Sequence, residues 1–269
     1  MAMTTDEAAR PCALVTGAGI RLGRAMALHL AANGWDVAVH YSASAEPAAE
    51  TVKDARALGA RAEAVGADLL DETATAELVA RAADALGRPL SLLINNASIF
   101  EPETLETMTR MSWDRAVETN LRAPVKLTQD FAAQAPEPAT DALGEPLARA
   151  YIVNMIDQRV WKPTPFFASY TLAKSALLTF TKTAAQALAP KIRVNGIGPG
   201  PTMQGTRQSA AHFAAQRAAC PLGRGADPDD IIAALSFILS CKSLTGQMIA
   251  VDGGQHLGWA TPDVTGSVE

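Results

Sequence analysis

The chain has 269 residues, 48% of them hydrophobic, with 19 glycines and a net charge of −5. That length suits one large α/β domain or two smaller ones, and a net negative charge without a basic stripe argues against binding to nucleic acid or to a membrane surface. The three cysteines are widely spaced and the four histidines form no H-x-x-x-H pair, so we expect a reducing compartment, no disulfide framework and no metal site.

Short apolar runs alternate with amphipathic segments from one end of the chain to the other. In chain order, the predicted strands are residues 12–16, 36–40, 61–65, 90–95, 150–155, 192–198 and 247–251. The predicted helices are residues 22–33, 47–58, 71–86, 112–134, 169–189 and 228–240. Strands that alternate with helices imply right-handed crossovers. The sequence therefore predicts the α/β class: a single doubly wound Rossmann-type domain over residues 1–269, with a seven-stranded parallel sheet flanked by helices.

Two segments interrupt this alternation. Residues 136–147 are rich in proline, alanine and acidic residues, which predicts a surface insertion before the fifth strand. Residues 199–227 follow the sixth strand and are long, punctuated by glycine and weakly patterned. Loops of that length in a compact domain are usually functional lids or disordered, so we interpret residues 199–227 as a substrate loop.

A glycine-rich segment joins the first predicted strand to the first predicted helix. It reads Thr16-Gly17-Ala18-Gly19-Ile20-Arg21-Leu22-Gly23, with the spacing G-x-G-x-x-x-G. Glycines let the backbone turn sharply and approach a pyrophosphate, and the helix N-terminus adds free N–H groups and the positive end of a dipole. A plain strand–helix turn would use the same residues. The position after the first strand favours a dinucleotide site that includes Gly17, Gly19, Leu22 and Gly23.

The second predicted strand is followed by no carboxylate until Glu46. Enzymes that prefer NAD usually have Asp or Glu there to hold the ribose 2′-hydroxyl, and such a carboxylate would repel a 2′-phosphate. Hydroxyl groups and the Arg21 guanidinium would accept that phosphate, so we predict NADPH as the cofactor; the alternative is a solvated loop arginine. Asp68 is placed to accept from the adenine amine, or is only a turn residue. The residues expected around this end of the cofactor are His40, Tyr41, Ser42, Ser44, Asp68 and Leu69.

Tyr170 and Lys174 lie four residues apart on one predicted helix and therefore share a face. A free phenol has a pKa of about 10, and a lysine ammonium beside it favours the phenolate. We therefore expect Lys174 to lower the pKa of Tyr170 toward the working range of a proton donor, and to contact the nicotinamide ribose. A Tyr-x-x-x-Lys pair also occurs on solvated helix faces, so the functional interpretation depends on the glycine loop and on Asn120.

Taken together, these motifs resemble the short-chain dehydrogenase/reductase family over nearly the whole chain. The matching segments are the loop 16–23, Asn95-Asn96-Ala97, Asn120, Tyr170-x-x-x-Lys174, and Arg193-Val194-Asn195 leading to Pro199-Gly200. The family has a glycine where this chain has Arg21. That departure, with His40-Tyr41-Ser42 and Asn95-Asn96-Ala97-Ser98, resembles the pteridine reductase branch.

The resemblance implies roles for further residues. Tyr170 would be the proton donor with Lys174 as its partner, and Asn120 would hold a water that links Lys174 to solvent. The loop after the sixth strand would flank the nicotinamide, and the segment beyond it, including Met203, would cover the substrate. The additional cofactor contacts that the resemblance implies are Asn96, Ala97, Ser98, Pro199, Gly200 and Thr202.

Position 157, thirteen residues before Tyr170, holds aspartate where the family generally has serine. A carboxylate is a poor partner for a carbonyl oxygen that gains negative charge, but a good one for a ring with N–H and amine donors. Asp157 resembles the aspartate of pteridine reductases, which implies reduction of a C=N bond in a pterin, dihydropterin or dihydrofolate; the alternative is a turn aspartate. Phe100 resembles a phenylalanine that stacks on the pterin, or is a core residue.

Two other functions stay open. An NADPH-dependent carbonyl reductase of the 3-oxoacyl or sugar type is disfavoured by Asp157 and Arg21, and a non-catalytic NADPH-binding regulator would not need the Asn–Tyr–Lys set. The resemblance also implies a homotetramer, assembled through helices 112–134 and 169–189, in which the segment His256-Leu257-Gly258-Trp259 approaches a neighbouring active site. Residues 1–11 have no apolar core and no apolar stretch reaches about 20 residues, so we expect a cytoplasmic location and no membrane span.

Overall fold

Strands and helices alternate along the chain as the apolar pattern predicts. The structure is a computed structural model, and it describes residues 10–261 and residue 265. Its strands, within those residues, are Cys12–Val15 (β1), Asp36–Tyr41 (β2), Ala62–Gly66 (β3), Leu90–Asn95 (β4), Ala139–Thr140 (β5), Pro146–Leu147 (β6), Ala150–Met155 (β7), Ile192–Pro199 (β8) and Met248–Val251 (β9). Its α-helices, within the same residues, are Arg21–Ala32 (α1), Ala45–Ala57 (α2), Glu72–Leu86 (α3), Arg110–Val117 (α4), Ala123–Gln134 (α5), Ala168–Leu188 (α6), Ala210–Ala218 (α7) and Pro228–Ser240 (α8).

Seven strands hydrogen-bond side by side in the order β3-β2-β1-β4-β7-β8-β9. Every neighbouring pair in this sheet is parallel, which confirms the predicted seven-stranded Rossmann-type sheet. The strand order runs outward in one direction from β1 to β3 and in the other from β4 to β9. The crevice at the carboxyl ends of β1 and β4 is therefore the place where a sheet of this kind binds ligands.

Helices cover both faces of the sheet and bury two separate apolar cores. Along β1, Ala13 and Val15 face one core while Cys12 and Leu14 face the other, as the two-residue period of a strand requires. The first core adds apolar side chains of α1, α2 and α8. The second adds those of α3, α5 and α6, among them the fully buried Phe131. Burial on both faces fixes the sheet, and with it the positions of the loops at its edge.

One local prediction is wrong, and two segments contain elements that the sequence analysis did not predict. The single helix predicted for residues 112–134 is two α-helices joined by a π-helical turn at Glu118–Arg122. The loop 199–227 contains a helix, α7, that the sequence did not reveal because none of its residues is buried and its apolar pattern is weak. The segment 136–147 contains a two-stranded antiparallel hairpin, β5–β6, outside the main sheet. No helix of the described residues is both long and apolar enough to cross a bilayer.

Candidate active site

The glycine loop after β1 is held in a shape that tolerates only small residues. A Cβ atom at Gly23 would lie 2.2 Å from the carbonyl oxygen of Gly17 and 2.6 Å from Asn96 Nδ2. Gly17 itself has a φ of +62°, in the left-handed region. The loop is tied to β4 because Asn96 Nδ2 donates to the carbonyl oxygen of Thr16 at 2.8 Å. The chain at Gly17 and Gly23 is therefore packed so closely that neither position accommodates a side chain.

Beyond this loop, a cavity of about 380 Å³ follows the carboxyl ends of β1 to β4. Helix α1 points its N-terminus at this cavity, and the side chain of its N-cap residue, Ile20, does not bond to the backbone N–H groups of the first turn. Those N–H groups lack carbonyl partners within the helix and favour an anion such as a phosphate. The cavity thus fits a dinucleotide. Its lining includes these predicted cofactor residues: Gly17, Gly19, Arg21, Leu22, Gly23, His40, Tyr41, Ser42, Ser44, Asp68, Leu69, Asn96, Ala97 and Ser98.

The observed lining differs from the predicted set of cofactor residues in two ways. The predicted cofactor residues Tyr170, Lys174, Pro199, Gly200 and Thr202 lie outside the lining of this cavity. Four residues that the sequence analysis did not single out also line it, namely Ile20, Ala43, Ile99 and Thr119. Each of these four is a chain neighbour of a predicted site residue, so adjacency was the only signal that could have found them.

His40 supports the cavity rather than offering a free ring nitrogen to it. Its Nδ1 lies 3.0 Å from the backbone N of Gly17, and its Nε2 lies 3.0 Å from the carbonyl oxygen of Ala67. Because Nδ1 accepts from an N–H group, Nε2 must carry the proton and donate to Ala67. Burial of the neutral ring lowers the pKa of His40 from 6.5 to about 4. The side chain therefore clamps the glycine loop to the end of β3.

Arg21 reaches across the cavity to the substrate loop. Its φ is +53°, an uncommon conformation for a residue with a side chain. Its Nη1 donates to the carbonyl oxygen of Gln204 at 2.8 Å, and its Nη2 donates to that of Met203 at 3.1 Å. The guanidinium thus lines the cavity, as predicted, while it also holds the loop that carries Met203.

Tyr170, Lys174 and Asp157 meet at the carboxyl end of β7. Tyr170 Oη donates a hydrogen bond of 2.8 Å to Asp157 Oδ2. One turn further along α6, Lys174 Nζ donates to the carbonyl oxygen of Met155 at 2.6 Å and lies 5.8 Å from the centre of the Tyr170 ring. Only 6% of Tyr170 and 2% of Lys174 are exposed, so both groups act in a nearly dry environment.

The prediction that Lys174 lowers the pKa of Tyr170 is wrong for this arrangement. Burial raises the pKa of Tyr170 well above 10, and the charge and the hydrogen bond of Asp157 raise it further, because both stabilise the neutral phenol. Burial also lowers the pKa of Lys174 to about 8, which weakens its charge as a source of stabilisation for a phenolate. Burial raises the pKa of Asp157 as well. The site therefore favours a neutral tyrosine whose hydroxyl donates a hydrogen bond to the carboxylate.

Asn120 lies in the π-helical turn and is fully buried. Its Oδ1 accepts from Ser98 Oγ at 2.7 Å. Its Nδ2 donates to the carbonyl oxygens of Ile99 and Ala116, each at 2.9 Å. The wider turn pulls this amide toward the loop after β4, which explains a π-turn at this point in the helix. The role of Asn120 in holding a water stays a prediction.

Phe100 is part of an aromatic cluster beside Tyr170. Its ring stacks on that of Phe167 at 4.1 Å with an angle of 8°, and its edge meets Tyr170 at 4.7 Å. Because 41% of Phe100 is exposed, the alternative of a core residue is wrong. Phe167 has a φ of +61° and begins α6, and Arg159 lies over both phenylalanine rings. Neither Phe167 nor Arg159 belongs to a motif, so no sequence signal pointed to either residue.

The loop after β8 closes the same edge of the sheet. The backbone N of Gly200 donates to the carbonyl oxygen of Val251 at 3.0 Å, and a Cβ at Gly200 would lie 2.6 Å from the Cβ of Asp252. Thr202 Oγ1 donates to the carbonyl oxygen of Gly200 at 3.1 Å. Arg207 Nη2 donates to the carbonyl oxygen of Phe100, which ties this loop to the aromatic cluster.

We compared the chain with known protein families and with known proteins. Residues 17–256 match the protein family described as enoyl-(acyl carrier protein) reductase. The 3-oxoacyl-(acyl-carrier-protein) reductase FabG of Staphylococcus aureus is 30% identical over 250 residues, which cover 91% of this chain and 98% of that protein.

Solved structures add two similar proteins. FolM alternative dihydrofolate reductase 1 from Brucella canis, complexed with NADP, is 40% identical, with a TM-score of 0.88 and coverage of 96% of this chain and 98% of that chain. A short chain dehydrogenase from Burkholderia cenocepacia, in complex with NADP, is 33% identical with a TM-score of 0.82, and the match covers 91% of this chain and 97% of that chain.

Proposed function

We propose that this chain, which belongs to the short-chain dehydrogenase/reductase family, is an NADPH-dependent reductase that reduces a C=N bond of a pterin, dihydropterin or dihydrofolate. The observation that carries the proposal is the partly buried hydrogen bond of 2.8 Å between Tyr170 Oη and Asp157 Oδ2. The FolM dihydrofolate reductase, 40% identical to this chain, supports the same substrate class.

Two observations support NADPH as the cofactor. The similar structures from Brucella canis and Burkholderia cenocepacia are complexes with NADP. In this chain, the segment after β2 places Ser42 and Ser44 at the cavity and no carboxylate beside them, and Arg21 lies on the same wall. A 2′-phosphate meets hydroxyl and guanidinium donors there instead of a repelling charge. When bound, NADPH supplies the hydride for the reaction.

Reduction of a C=N bond adds a hydride to carbon and a proton to the adjacent nitrogen. Asp157 is suited to carry that proton because burial raises the pKa of its carboxyl group. Tyr170, hydrogen-bonded to the same carboxylate, replaces the proton once it has been transferred. Lys174, which has a pKa of about 8 and lies on α6, then returns a proton to Tyr170. Phe100, 41% exposed, offers the uncovered part of its ring for stacking by a flat heterocycle.

A carbonyl reductase of the 3-oxoacyl type is the second candidate. It is favoured by the FabG relatives, which share 30% of their residues with this chain. Asp157 argues against it, because a carboxylate next to Tyr170 repels the negative charge that develops on a carbonyl oxygen. A non-catalytic NADPH-binding regulator is the third and weakest candidate, since the buried tyrosine, lysine and asparagine would have no use in it.

Initial rates of NADPH oxidation test the proposal. Dihydrobiopterin and dihydrofolate are compared with a β-ketoacyl thioester, and NADPH with NADH. We expect turnover of a pterin or dihydrofolate with NADPH, lost in Tyr170→Phe although that variant still binds NADPH. Tyr151→Phe is the matched control, because Tyr151 Oη donates to the carbonyl oxygen of Ala148 and lies outside the candidate site. Turnover of the thioester alone would establish the second candidate, and NADPH binding without any turnover would favour the regulator.

A homotetramer assembled through α4, α5 and α6 belongs to the same proposal. Its test is the molar mass of the protein in solution, measured by light scattering after gel filtration. In a single chain the ring of His256 lies 5.1 Å from that of Trp161, and 67% of Trp259 is exposed. The segment 256–259 therefore lies beside the loop after Asp157, where a neighbouring copy can meet it.

A further inference from the structure

We propose that Arg159 is a specificity-determining residue that binds a carboxylate on the substrate's tail, so that the site prefers a pterin with an aryl-carboxylate tail to an uncharged pterin. This inference rests on the proposed pterin or dihydrofolate reductase function. It concerns a residue two positions after Asp157, at the outer side of the aromatic cluster formed by Phe100, Phe167 and Tyr170.

The guanidinium of Arg159 is held in place close enough to feel the charge of Asp157, but it forms no ion pair with that carboxylate. Its Cζ lies 5.1 Å from the centre of the Phe167 ring and 5.9 Å from that of Phe100. Its Nη1 donates to Thr164 Oγ1 at 2.6 Å, while its Nε is buried and has no hydrogen-bond partner among the described residues. Because Nε is buried, an incoming carboxylate would reach the guanidinium at Nη2, which donates to no group of the described residues.

The surrounding chain is depleted of acids. No Asp or Glu occurs between Asp157 and Asp227, whereas the same stretch contains nine lysines and arginines. Two of these, Arg159 and Arg207, contact the aromatic cluster, and neither forms an ion pair with a carboxylate of the described residues. A net negative chain thus leaves uncompensated positive charge beside its substrate site, which favours an anionic substrate.

The two acidic residues that follow Phe100, Glu101 and Glu103, already have partners within the protein. Glu101 pairs with Arg115 at 3.3 Å. Glu103 is buried and accepts hydrogen bonds from the backbone N and the Oγ of Ser169. Of the residues that the structure describes, neither of these two acids contacts Arg159. The guanidinium is therefore left for a ligand.

Exposed aromatic side chains lie beside this charge. The exposed fractions are 41% for Phe100, 46% for Trp161 and 55% for Phe166, all unusually high for large apolar rings. Aromatic faces of this kind stack on flat rings. A flat heterocycle on Phe100 would bring a carboxylate on its tail within reach of Arg159, whose Cζ lies 5.9 Å from the centre of the Phe100 ring.

The test compares two substrates that differ in the tail. The tail of dihydrofolate carries an aromatic ring and, beyond it, carboxylates, whereas the tail of dihydrobiopterin is uncharged. We measure kcat and KM for both with NADPH, in the full-length wild type, Arg159→Gln and Arg159→Lys. Lys162→Gln is the matched control, since it removes an equal charge three residues away, from a side chain that bonds to the carbonyl oxygen of Gln255 at 3.2 Å. Binding of folate to the NADP+-loaded proteins is measured by calorimetry.

We expect Arg159→Gln to lower kcat/KM for dihydrofolate by about 10- to 100-fold, through KM, as the loss of a charge-assisted hydrogen bond predicts. Folate binding should weaken to a similar extent, Arg159→Lys should fall between, and Lys162→Gln should leave the ratio of the two substrates unchanged. Equal losses for both substrates, or no loss for either, would overturn the inference while leaving the reductase in place. A wild type that reduces neither compound would overturn the proposed function, and the inference with it.

Discussion

Tyr170 Oη donates to Asp157 Oδ2 at 2.8 Å, across thirteen residues of sequence, inside a site where Tyr170 is only 6% exposed. This contact adds to the effect of burial on the pKa of the phenol. Burial is the largest cause of the raised pKa of Tyr170, and the carboxylate adds to it by charge and by hydrogen bond. The nearby ammonium of Lys174, which would act in the opposite direction, is itself weakened by burial.

Asp157→Asn should lower the pKa of Tyr170. The substitution removes the negative charge and leaves burial as the main cause of the shift, so the phenolate becomes less unfavourable. The chain contains three tyrosines, so an ultraviolet titration of tyrosinate resolves few groups. One transition should move to lower pH in Asp157→Asn compared with the wild type.

The double variant Asp157→Asn, Tyr170→Phe identifies that transition, because it should lack the step that moved. Superimposable titration curves for the wild type and Asp157→Asn would show that the carboxylate does not act on Tyr170.

Gly23→Ala should destroy the cofactor site. The added methyl group would lie 2.2 Å from the carbonyl oxygen of Gly17, and the neighbouring backbone cannot move away without breaking the loop. We expect a loss of stability of about 1–3 kcal/mol and no measurable binding of NADPH by fluorescence titration. Gly205→Ala is the control, because a Cβ at Gly205 meets nothing within 4 Å and its φ is not positive. Normal NADPH binding by Gly23→Ala would contradict the assignment of this loop.

Much of this fold could be predicted because burial on both faces makes strands and helices easy to recognise. Strands β4 and β7 match their predicted limits, since each is a short and largely apolar run. The π-turn at Glu118–Arg122 could not be predicted, because one extra residue in a turn barely alters the helical period of the apolar pattern. Helix α7 has no buried residue and so leaves no such pattern.

The candidate site shows the same limit. The residues of the cofactor cavity could be listed in advance because they follow consecutive parallel strands, whose carboxyl ends meet at one edge. The pKa of Tyr170 could not be predicted, because it depends on distances and on burial, and a spacing of four residues gives neither. Arg159 and Phe167 were missed for the same reason: their importance lies in contacts with Phe100, far away in sequence.

Arg193 is expected to contribute strongly to stability rather than to catalysis. Its buried guanidinium donates to the carbonyl oxygens of Ile238, Leu239 and Leu244 at 2.8–2.9 Å, which joins the end of α8 to β8. Arg193→Met leaves these acceptors without a partner, so the free energy of unfolding should fall by about 3 kcal/mol or more in urea denaturation. Arg149→Met, at an exposed position, is the control. Equal stability of the two variants would show that the three bonds contribute little.

His40 should make the stability of the protein depend on pH. Its pKa is about 4 in the folded state and 6.5 as an ordinary value, because the buried ring must stay neutral to accept from Gly17 and donate to Ala67. Between these two values the unfolded chain binds the proton and the folded chain does not. The contribution is therefore complete above pH ~6.5 and is lost as the pH falls toward ~4, to a total of about 3 kcal/mol.

His40→Gln removes this titration while keeping one acceptor and one donor on the side chain. Urea denaturation at pH ~7 and at ~4.5 should show the wild type losing about 2–3 kcal/mol more than the variant over that interval. His212→Gln, at an exposed position of α7, controls for the loss of a histidine as such and should follow the wild type. If His40→Gln and the wild type lose stability in parallel, the ring is not held neutral between the glycine loop and β3. The clamp on the cofactor cavity would then have to come from another contact.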